Sequence, residues 1–335
     1  MTTHSCSICK KIFKQKSHLD NHLNKKKKCE PMKQELQVTK PFLKWVGGKT
    51  QILEKVLSKF PKEMENYHEP FLGGGSVLLG LLSLQEEKKL HVKGSIYASD
   101  INGNLIAIYK QIQKKPNEFC ESVQGFIDGF QKAKVEGTVN READTLEEAL
   151  TSRESYYYWI RRRFNSMTQK QRESIQGTAM FLFLNKTCFR GVYREGPNGF
   201  NVPYGHYENP GILHRDDILK ISRLMKNVVF IKQGFEESLK KVKETDFVYL
   251  DPPYAPETET SFVSYVADGF TLEKHKLLFQ EIAKKKYKFL LSNAEVKLVK
   301  EAFPQSSFTT EVISCRRAIH SKTPDAKTNE VLICN

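Results

Sequence analysis

Short apolar runs that end in polar or glycine-rich turns recur along the chain, and they predict strands that alternate with helices. Residues 247–250 (Phe-Val-Tyr-Leu) form an apolar run of strand length, and residues 95–99 form a second candidate strand. Residues 67–76 predict a strand followed by a glycine loop, and the apolar residues 77–82 predict a helix after that loop. This order predicts an α/β fold.

An acid, two prolines and an aromatic ring directly follow the strand predicted at residues 247–250. Proline fixes its own backbone and pushes the preceding residue to extended geometry, so Asp251-Pro252-Pro253-Tyr254 is predicted to form a fixed, non-helical turn. Ligands of open α/β sheets bind outside the carboxyl ends of the strands. The turn therefore offers a carboxylate, a backbone carbonyl and a flat stacking surface to a planar amine. Taken alone, the segment is equally compatible with a turn that only closes a buried strand.

The glycine loop at residues 73–75 indicates a site for a small molecule without phosphate. It lacks the G-x-x-x-x-G-K-[ST] pattern, and Leu78 stands where a dinucleotide fingerprint has its third glycine. The strand at residues 95–99 leads to Asp100, the position at which nucleotide-type α/β folds hold a ribose diol. An adenosyl ligand fits this pattern, with Asp100 on the ribose and Trp45 stacked on a ring. A glycine-rich turn beside a core aromatic residue is the alternative.

Three cysteines and a histidine near the amino terminus have the spacing of zinc ligands. Residues 4–30 resemble the two-Cys, two-His zinc-finger family, in which Phe13 and Leu19 would supply a small core, although a cysteine replaces the second histidine. His18, one helical turn before the predicted histidine ligand, is the alternative fourth ligand. We predict a small ββα unit with one bound zinc, and its ligands are Cys6, Cys9, His22 and Cys29.

The net charge of +14 is concentrated near the amino terminus, where residues 1–44 carry eleven lysines and three acids. Lysine clusters neutralise phosphates and release counterions, so this segment indicates a polyanionic partner. A solvated basic tail is the alternative. Residues 33–40 lack an apolar period and are predicted to form a linker.

The compartment is predicted from what the sequence lacks. The chain has no run of eighteen apolar residues and no apolar amino-terminal stretch, and its seven cysteines do not form a disulfide pattern. We therefore expect an intracellular protein without a membrane partner. The sequence leaves both the cytoplasm and the nucleus open.

A β-hairpin is predicted within residues 184–205, because two β-prone segments flank a Gly-Pro-Asn-Gly turn at residues 196–199. A two-stranded ribbon fits the major groove of DNA, where arginine can form a bidentate pair with guanine. Upstream, residues 156–165 predict a helix on which Trp159, Arg162 and Arg163 lie at three- and four-residue spacing. The arginines of such a helix can reach phosphates, and a core helix with a solvated basic face is the alternative.

Four motifs in this order resemble the Dam-type DNA adenine methyltransferases, which use S-adenosylmethionine: residues 42–49, 69–76, 99–102 and 251–254. The resemblance extends from about residue 41 to the carboxyl terminus. It implies a Rossmann-like doubly wound methyltransferase sheet and a mostly helical target-recognition domain that carries the hairpin. The implied domains are a zinc finger at 1–32, a linker at 33–40, a catalytic domain at 41–115 and 226–335, and a target-recognition domain at 116–225. We expect a monomer that acts on double-stranded DNA.

The same resemblance implies roles for individual residues. Those implied in catalysis are Asp251, Pro252, Pro253 and Tyr254. Those implied in cofactor binding are Trp45, Lys49, Glu69, Phe71, Gly73, Gly75, Asp100, Phe235 and Asp251. Those implied in DNA binding are Lys44, Phe189, Arg190, Val192, Arg194, Pro203, Arg316 and Arg317. Among these, Phe189 would wedge into the base stack and Arg194 would read guanine, whereas Arg190 replaces a smaller polar residue that is common in the family.

The implied reaction is N6 methylation of an adenine that is flipped out of the duplex, within the sequence GATC. The adenine amine is a poor nucleophile, and hydrogen bonds to the Asp251 carboxylate and the Pro252 carbonyl would localise its lone pair while Tyr254 stacks on the base. Methylation of the cytosine exocyclic amine is the nearest alternative. A DNA-binding regulator without turnover and an RNA substrate are further alternatives.

At the carboxyl end, residues 290–293 predict a strand, and Asn329-Glu330 match the closing strand of the family.

Overall fold

A central sheet organises most of the chain. The computed structural model describes residues 3–9, 11–25, 38–256, 270–316 and 327–335. The strands are β1 (His4–Ser5), β2 (Ile12–Phe13), β3 (Glu63–Met64), β4 (Tyr67–Glu69), β5 (His91–Val92), β6 (Ile96–Asp100), β7 (Glu195–Gly196), β8 (Gly199–Phe200), β9 (Val228–Lys232), β10 (Phe247–Leu250), β11 (Lys288–Ala294), β12 (Thr309–Arg316) and β13 (Lys327–Cys334). The helices are α1 (Lys16–Leu23), α2 (Leu53–Ser58), α3 (Ser76–Glu86), α4 (Gly103–Lys114), α5 (Pro116–Lys132), α6 (Leu146–Ala149), α7 (Arg153–Ser166), α8 (Gln169–Arg172), α9 (Ile175–Thr187), α10 (Arg215–Leu224), α11 (Phe235–Leu239), α12 (Leu272–Ala283) and α13 (Lys297–Ala302).

Seven strands form the central sheet in the order β12-β13-β11-β10-β4-β6-β9. The five strands from β11 to β9 are parallel, and β13 and β12 close one side in antiparallel pairing. The strands predicted at 247–250, 67–69 and 290–293 are therefore confirmed, and the one predicted at 95–99 is confirmed with its end at Asp100. The α/β class is confirmed with them.

The strand order changes direction between β4 and β10. From β4 the chain adds β6 and then β9 on one side, and it later returns to place β10 and β11 on the other side. Such a reversal leaves a crevice at the carboxyl ends of the two strands, which is where open α/β sheets bind ligands. Glu69 ends β4, and Asp251 follows β10. The two acids that the motifs single out therefore lie at this crevice.

Burial explains why these segments form a stable platform. All four residues of β10 are buried, as expected for a central parallel strand, and α3 is buried along most of its length. The aromatic rings of Tyr249 and Phe289 are each 1% exposed. Loops at the sheet's carboxyl edge are therefore fixed by a close-packed core.

Helices α5, α7 and α9 lie between β6 and β9 in the sequence and pack on one another, and α9 also contacts α4. The mostly helical character predicted for residues 116–225 is confirmed. Residues 38–335 cluster as one compact unit, and the division of this unit into catalytic and target-recognition domains stays a prediction.

The hairpin predicted within residues 184–205 is shorter than expected. Residues 184–187 belong to α9, a 3-10 turn covers Phe189–Gly191, and the antiparallel strands β7 and β8 have two residues each. The β-prone prediction for residues 184–187 is wrong because the apolar run begins upstream at a serine cap, Ser174, and continues as a helix that is buried on nearly every side. An isolated bridge between Cys188 and Tyr204 extends the hairpin base.

The amino-terminal segment forms a compact unit of its own, Met1–Gln37, of which residues 3–9 and 11–25 are described. Strands β1 and β2 pair antiparallel, with His4 opposite Phe13, and α1 follows. The predicted ββα order is present in these residues. Among the described helices, none is both long enough and apolar enough to cross a membrane.

Candidate active site

Three carboxylates lie at the carboxyl ends of adjacent parallel strands. Glu69 ends β4, Asp100 ends the neighbouring β6, and Asp251 follows β10 on the other side of β4. Each strand delivers its acid to the same sheet edge, so residues that are distant in sequence share one site. This convergence supports the predicted grouping of the glycine loop, Asp100 and the Asp251 turn.

Asp251 forms a close ion pair with Lys49. The lysine nitrogen Nζ lies 2.8 Å from Oδ2 of Asp251, and the side chains of Lys49 and Asp251 are 3% and 18% exposed. Burial raises the pKa of Asp251 to about 6, and the lysine charge opposes this rise. Lys49 is held in turn, because its Nζ donates to the Gly47 carbonyl at 2.6 Å and its backbone N–H donates to Ser76 Oγ at 3.1 Å.

The ring of Tyr254 is fixed at both its face and its hydroxyl. Nζ of Lys49 lies 4.8 Å from the ring centroid, within cation–π range. The hydroxyl donates to Oε2 of Glu330 at 2.7 Å and lies 3.0 Å from Ser292 Oγ. Burial raises the pKa of the Tyr254 hydroxyl, so it acts as a hydrogen-bond donor here. Glu330 and Ser292 belong to β13 and β11, and their role at this tyrosine was not predicted from the sequence.

The carboxylate of Asp100 organises the glycine loop. Its Oδ2 accepts from the Gly73 backbone N–H at 3.0 Å, and its Oδ1 accepts from the Asn102 N–H at 2.9 Å. Burial raises the pKa of Asp100, whereas these two hydrogen bonds lower it. Gly75 has φ +68 and faces Tyr109, so a side chain at position 75 would be strained and would clash with the tyrosine hydroxyl.

Glu69 is the most deeply buried of the three acids. It is 2% exposed, and its Oε2 accepts from the Tyr67 hydroxyl at 2.7 Å. Burial raises the pKa of Glu69 to about 8, so the carboxyl is mainly neutral at pH 7. A protonated carboxyl can donate a hydrogen bond as well as accept one.

Aromatic rings from separate segments surround the glycine loop. Phe71 stacks on Phe235 with ring centroids 5.8 Å apart, and Phe270 meets Phe71 edge-on at 5.7 Å. Trp45 stacks on Tyr193 at 5.5 Å. The structure therefore brings the predicted cofactor residues Phe71 and Phe235 together, and it adds Phe270 and Tyr193, which the motifs did not mark.

Lys44 is positioned against the base of the hairpin. The side chain of Asn185 on α9 accepts from the Lys44 backbone N–H at 2.9 Å and donates to the Lys44 carbonyl at 2.7 Å. Nζ of Lys44 lies 4.1 Å from the Tyr207 ring centroid and 3.4 Å from the Lys186 carbonyl. Asn185 thus joins the segment that carries Lys44 and Trp45 to the predicted DNA-reading segment.

The predicted DNA-binding residues of the hairpin form an exposed surface. Phe189 is 49% exposed, unusual for a large aromatic side chain, and Pro203 and Arg190 are also exposed. Arg190 has φ +56, in the left-handed region that a side chain of its size rarely adopts. The Pro203 carbonyl accepts from the Phe189 N–H at 2.8 Å, which holds the two sides of the hairpin base together.

Other predicted DNA-binding residues are placed less openly. Val192 is half-buried, and Nε of the exposed Arg194 donates to Asn201 Oδ1 at 2.7 Å across the hairpin. The structure gives the backbone of Arg316 in β12, and Arg317 lies outside the described residues. The guanidinium of the partly exposed Arg162 forms ion pairs with Glu142 and Asp144 at 3.3 and 3.1 Å, and its contact with phosphates stays a prediction.

Three of the four predicted zinc ligands converge in the amino-terminal unit. The ligand atoms of Cys6, Cys9 and His22 all lie within 4.8 Å of one another, and Cys9 Sγ is 3.1 Å from His22 Nε2. Cys6 is buried, and Phe13 packs on His22 at 5.0 Å. Two thiols and an imidazole are a donor set that suits zinc. Cys29 lies outside the described residues.

The chain resembles characterised proteins over most of its length. The family described as D12 class N6 adenine-specific DNA methyltransferase matches residues 45–319. The type II methyltransferase M.MjaIII of Methanocaldococcus jannaschii is 37% identical over 265 residues, 76% of this chain and 84% of that protein. The DNA adenine methylase of Escherichia coli K12 is 28% identical over 292 residues, 85% of this chain and 91% of that protein. The carboxylates at the sheet edge and the match across residues 45–319 lead to one conclusion: the chain belongs to the D12 class of N6 adenine-specific DNA methyltransferases.

Proposed function

We propose that this enzyme transfers a methyl group from S-adenosylmethionine to the N6 amine of an adenine flipped out of double-stranded DNA, within GATC. The observation that carries the proposal is the position of the Asp251-Pro252-Pro253-Tyr254 turn. This turn lies at the point where the strand order reverses, beside the glycine loop and Asp100. A planar amine held by the turn would therefore lie next to a ligand held by the loop.

The residues around the glycine loop fit S-adenosylmethionine. Asp100 would accept the ribose hydroxyls, the Phe71–Phe235 cluster offers an apolar surface for the adenine ring, and Trp45 closes one side of the loop. The glycines let the backbone approach the amino-acid part closely. S-adenosylmethionine would supply an electrophilic methyl group on a sulfonium centre.

In the proposed reaction, the turn residues position the amine without forming a covalent bond to it. The Asp251 carboxylate and the Pro252 carbonyl accept the two N6 hydrogens, which localises the nitrogen lone pair, and Tyr254 stacks on the base. The ionised form of Asp251 is the stronger hydrogen-bond acceptor, and its ion pair with Lys49 favours that form. The reaction therefore needs no cysteine nucleophile to form a covalent intermediate with the base.

The exposed hairpin supports a role in target recognition. Phe189 is available to fill the gap left by a flipped base, and Arg194, Val192 and Pro203 are expected to contact bases. Lys44, joined to α9 by Asn185, is expected to read the first guanine of GATC.

A tritiated-methyl transfer assay on matched duplexes would test this function. We expect label on a GATC duplex, N6-methyladenine after nucleoside digestion, and little label on a duplex in which the target adenine is replaced. Asp251→Ala should abolish transfer while DNA binding is retained. N4-methylcytosine as the product would overturn the adenine assignment. Consistent methylation within a different sequence motif would overturn GATC as the target. The absence of any methyl transfer would support the alternative of a DNA-binding regulator without turnover.

We further propose that the amino-terminal unit binds one zinc ion through Cys6, Cys9, His22 and Cys29. The convergence of the first three side chains supports this assignment, and Cys29 follows His22 after six residues, one more than the longest gap usual in this family. Zinc would supply folding free energy to a unit whose described core is too small to fold alone.

A further inference from the structure

The buried side chain of His275 contacts the turn formed by residues 251–254. His275 lies in the first turn of α12 and is 1% exposed. Its Nε2 is 2.9 Å from the Pro253 carbonyl oxygen, and its Nδ1 is 2.9 Å from the Thr271 carbonyl oxygen. The Pro253 carbonyl only accepts hydrogen bonds, so its contact needs the imidazole tautomer that carries a proton on Nε2.

The turn depends on side chains for its shape because prolines remove its backbone donors. Neither Pro252 nor Pro253 has an N–H, so the Asp251–Pro252 and Pro252–Pro253 peptide units have no backbone donor with which to form turn hydrogen bonds. The flanks are fixed from outside: Lys49 holds Asp251, and Asn293 Oδ1 accepts from the N–H of Ala255 at 3.0 Å. Between these anchors, the contact from His275 fixes the Pro253 carbonyl.

The same histidine touches the aromatic cluster proposed for the cofactor. Phe270 packs edge-on against the His275 ring at 4.7 Å and also contacts Phe71 at 5.7 Å and Phe235 at 5.5 Å. The α12 amino terminus is itself capped, since Thr271 Oγ1 accepts from the Lys274 N–H at 3.3 Å. His275 therefore joins a capped helix start, the cofactor-side cluster and the catalytic turn.

We propose that His275 is a positioning residue for methyl transfer, one that orients the Pro253 peptide and thereby the neighbouring Pro252 carbonyl and the Tyr254 ring. It acts through the turn and does not touch the base. The inference rests on the proposed role of Asp251–Tyr254 in holding the amine. Packing alone does not require a histidine at position 275, because an apolar side chain of similar size could fill the same space in the core. The proposed role therefore depends on the hydrogen bond to the Pro253 carbonyl and not on the volume of the side chain.

Two substitutions separate the hydrogen bond from the packing. His275→Leu replaces the imidazole with an apolar side chain of similar volume and so removes the hydrogen-bond donor to Pro253. We expect kcat to fall about ten- to hundredfold, because a small displacement of the groups that position the substrate is costly. The KM values for DNA and for S-adenosylmethionine should change less than about threefold. His275→Gln retains an N–H donor and should recover most of kcat.

A matched control and a spectroscopic readout keep the inference falsifiable. Ile282→Ala lies on the same helix, is fully buried, and should lower the melting temperature without lowering kcat. ¹⁵N NMR of the ring should show a protonated Nε2 in the wild type, a result that needs no variant to fold. An unprotonated Nε2, or a His275→Leu enzyme with wild-type kcat, would overturn the inference. Wild-type activity in Asp251→Ala would instead overturn the proposed function on which it rests.

Discussion

Nζ of Lys49 lies 2.8 Å from Oδ2 of Asp251, so the acid proposed to accept the substrate amine already has a cationic partner. The two residues are far apart in the sequence, and the fold brings them together. Burial raises the pKa of this carboxyl to about 6, and the lysine limits the rise. The pair therefore controls the fraction of enzyme with an ionised acceptor near neutral pH.

Lys49→Met should shift the acid limb of the pH–activity profile upward. In the wild type, kcat/KM should fall as pH drops through about 6, because protonated Asp251 accepts a hydrogen bond from the amine more weakly than the carboxylate does. Without the lysine charge, the Asp251 pKa rises further, and the limb should move by about one unit or more. The same pKa shift affects the free energy of unfolding. Because the pKa of Asp251 is higher in the folded state, its protonation favours folding at low pH, and this contribution is lost as pH rises through about 6.

Lys55→Met is the control for this shift. Lys55 lies on α2, is 56% exposed and pairs with Glu311 at 3.7 Å, so its removal also deletes one positive charge. Its pH–activity profile should match the wild type. An unchanged acid limb in Lys49→Met would show that the ion pair does not tune the acceptor.

Glu69→Gln should make stability less dependent on pH. The Glu69 pKa is raised to about 8 by burial, so the acid form favours folding at low pH, and this advantage is lost as pH rises from about 4.5 through about 8. Glutamine is neutral throughout and can still accept from the Tyr67 hydroxyl. Melting temperatures at pH 6 and pH 9 should therefore differ less in the variant. Exposed Glu63, replaced by Gln, should leave the wild-type pH dependence in place.

Tyr254→Phe and Glu330→Gln should be energetically coupled. The phenylalanine ring can still stack on a base, but it loses the 2.7 Å hydrogen bond that fixes its orientation. We expect each single variant to lower kcat about five- to thirtyfold, consistent with the loss of about 1–2 kcal/mol from this hydrogen bond. The double variant should be little worse than either single variant. Strictly additive losses would exclude a shared role.

Arg190→Asn should stabilise the protein while it weakens DNA binding. Arg190 is held at φ +56, and asparagine tolerates this conformation better, so a gain of about 0.5–1 kcal/mol is expected. Loss of the exposed charge should reduce the salt dependence of DNA affinity by about one unit of slope. Lys88→Asn provides a control at φ +58, where stability should rise and DNA affinity should not change. A less stable Arg190→Asn protein would contradict the strain argument.

Zinc removal should affect the amino-terminal unit alone. We expect one zinc per chain in the purified protein, and a Cys6→Ser/Cys9→Ser double variant should lose it because two ligands are gone. A chelator should abolish ordered NMR signals from residues 3–25 and leave the melting temperature of the larger unit unchanged. Cys334→Ser, a half-buried cysteine of β13, should keep full zinc content. Full zinc occupancy in the double variant would refute the ligand assignment.

The motifs predicted the sheet edge well because they encode local backbone geometry. Four apolar residues before Asp251 suit a buried strand, and the glycines before α3 permit the tight turn that precedes the helix. Contacts such as Tyr254 with Glu330 and His275 with Pro253 come from side chains far apart in sequence, which no local pattern contains. Residues 184–187 were misjudged because a short apolar run suits a buried helix as well as a strand, and only the upstream cap at Ser174 separates them.

The position of β10 between β4 and β11 also bears on how the enzyme is made. During synthesis, β4 and β6 emerge well before β10, so in a sheet that forms during synthesis one edge of the β4 backbone stays unpaired until β10 arrives. Long-range parallel pairing of this kind is slow to form. A chain that begins to fold during synthesis would therefore expose an open sheet edge, and the yield of folded protein in a cell should depend on chaperones and on expression temperature.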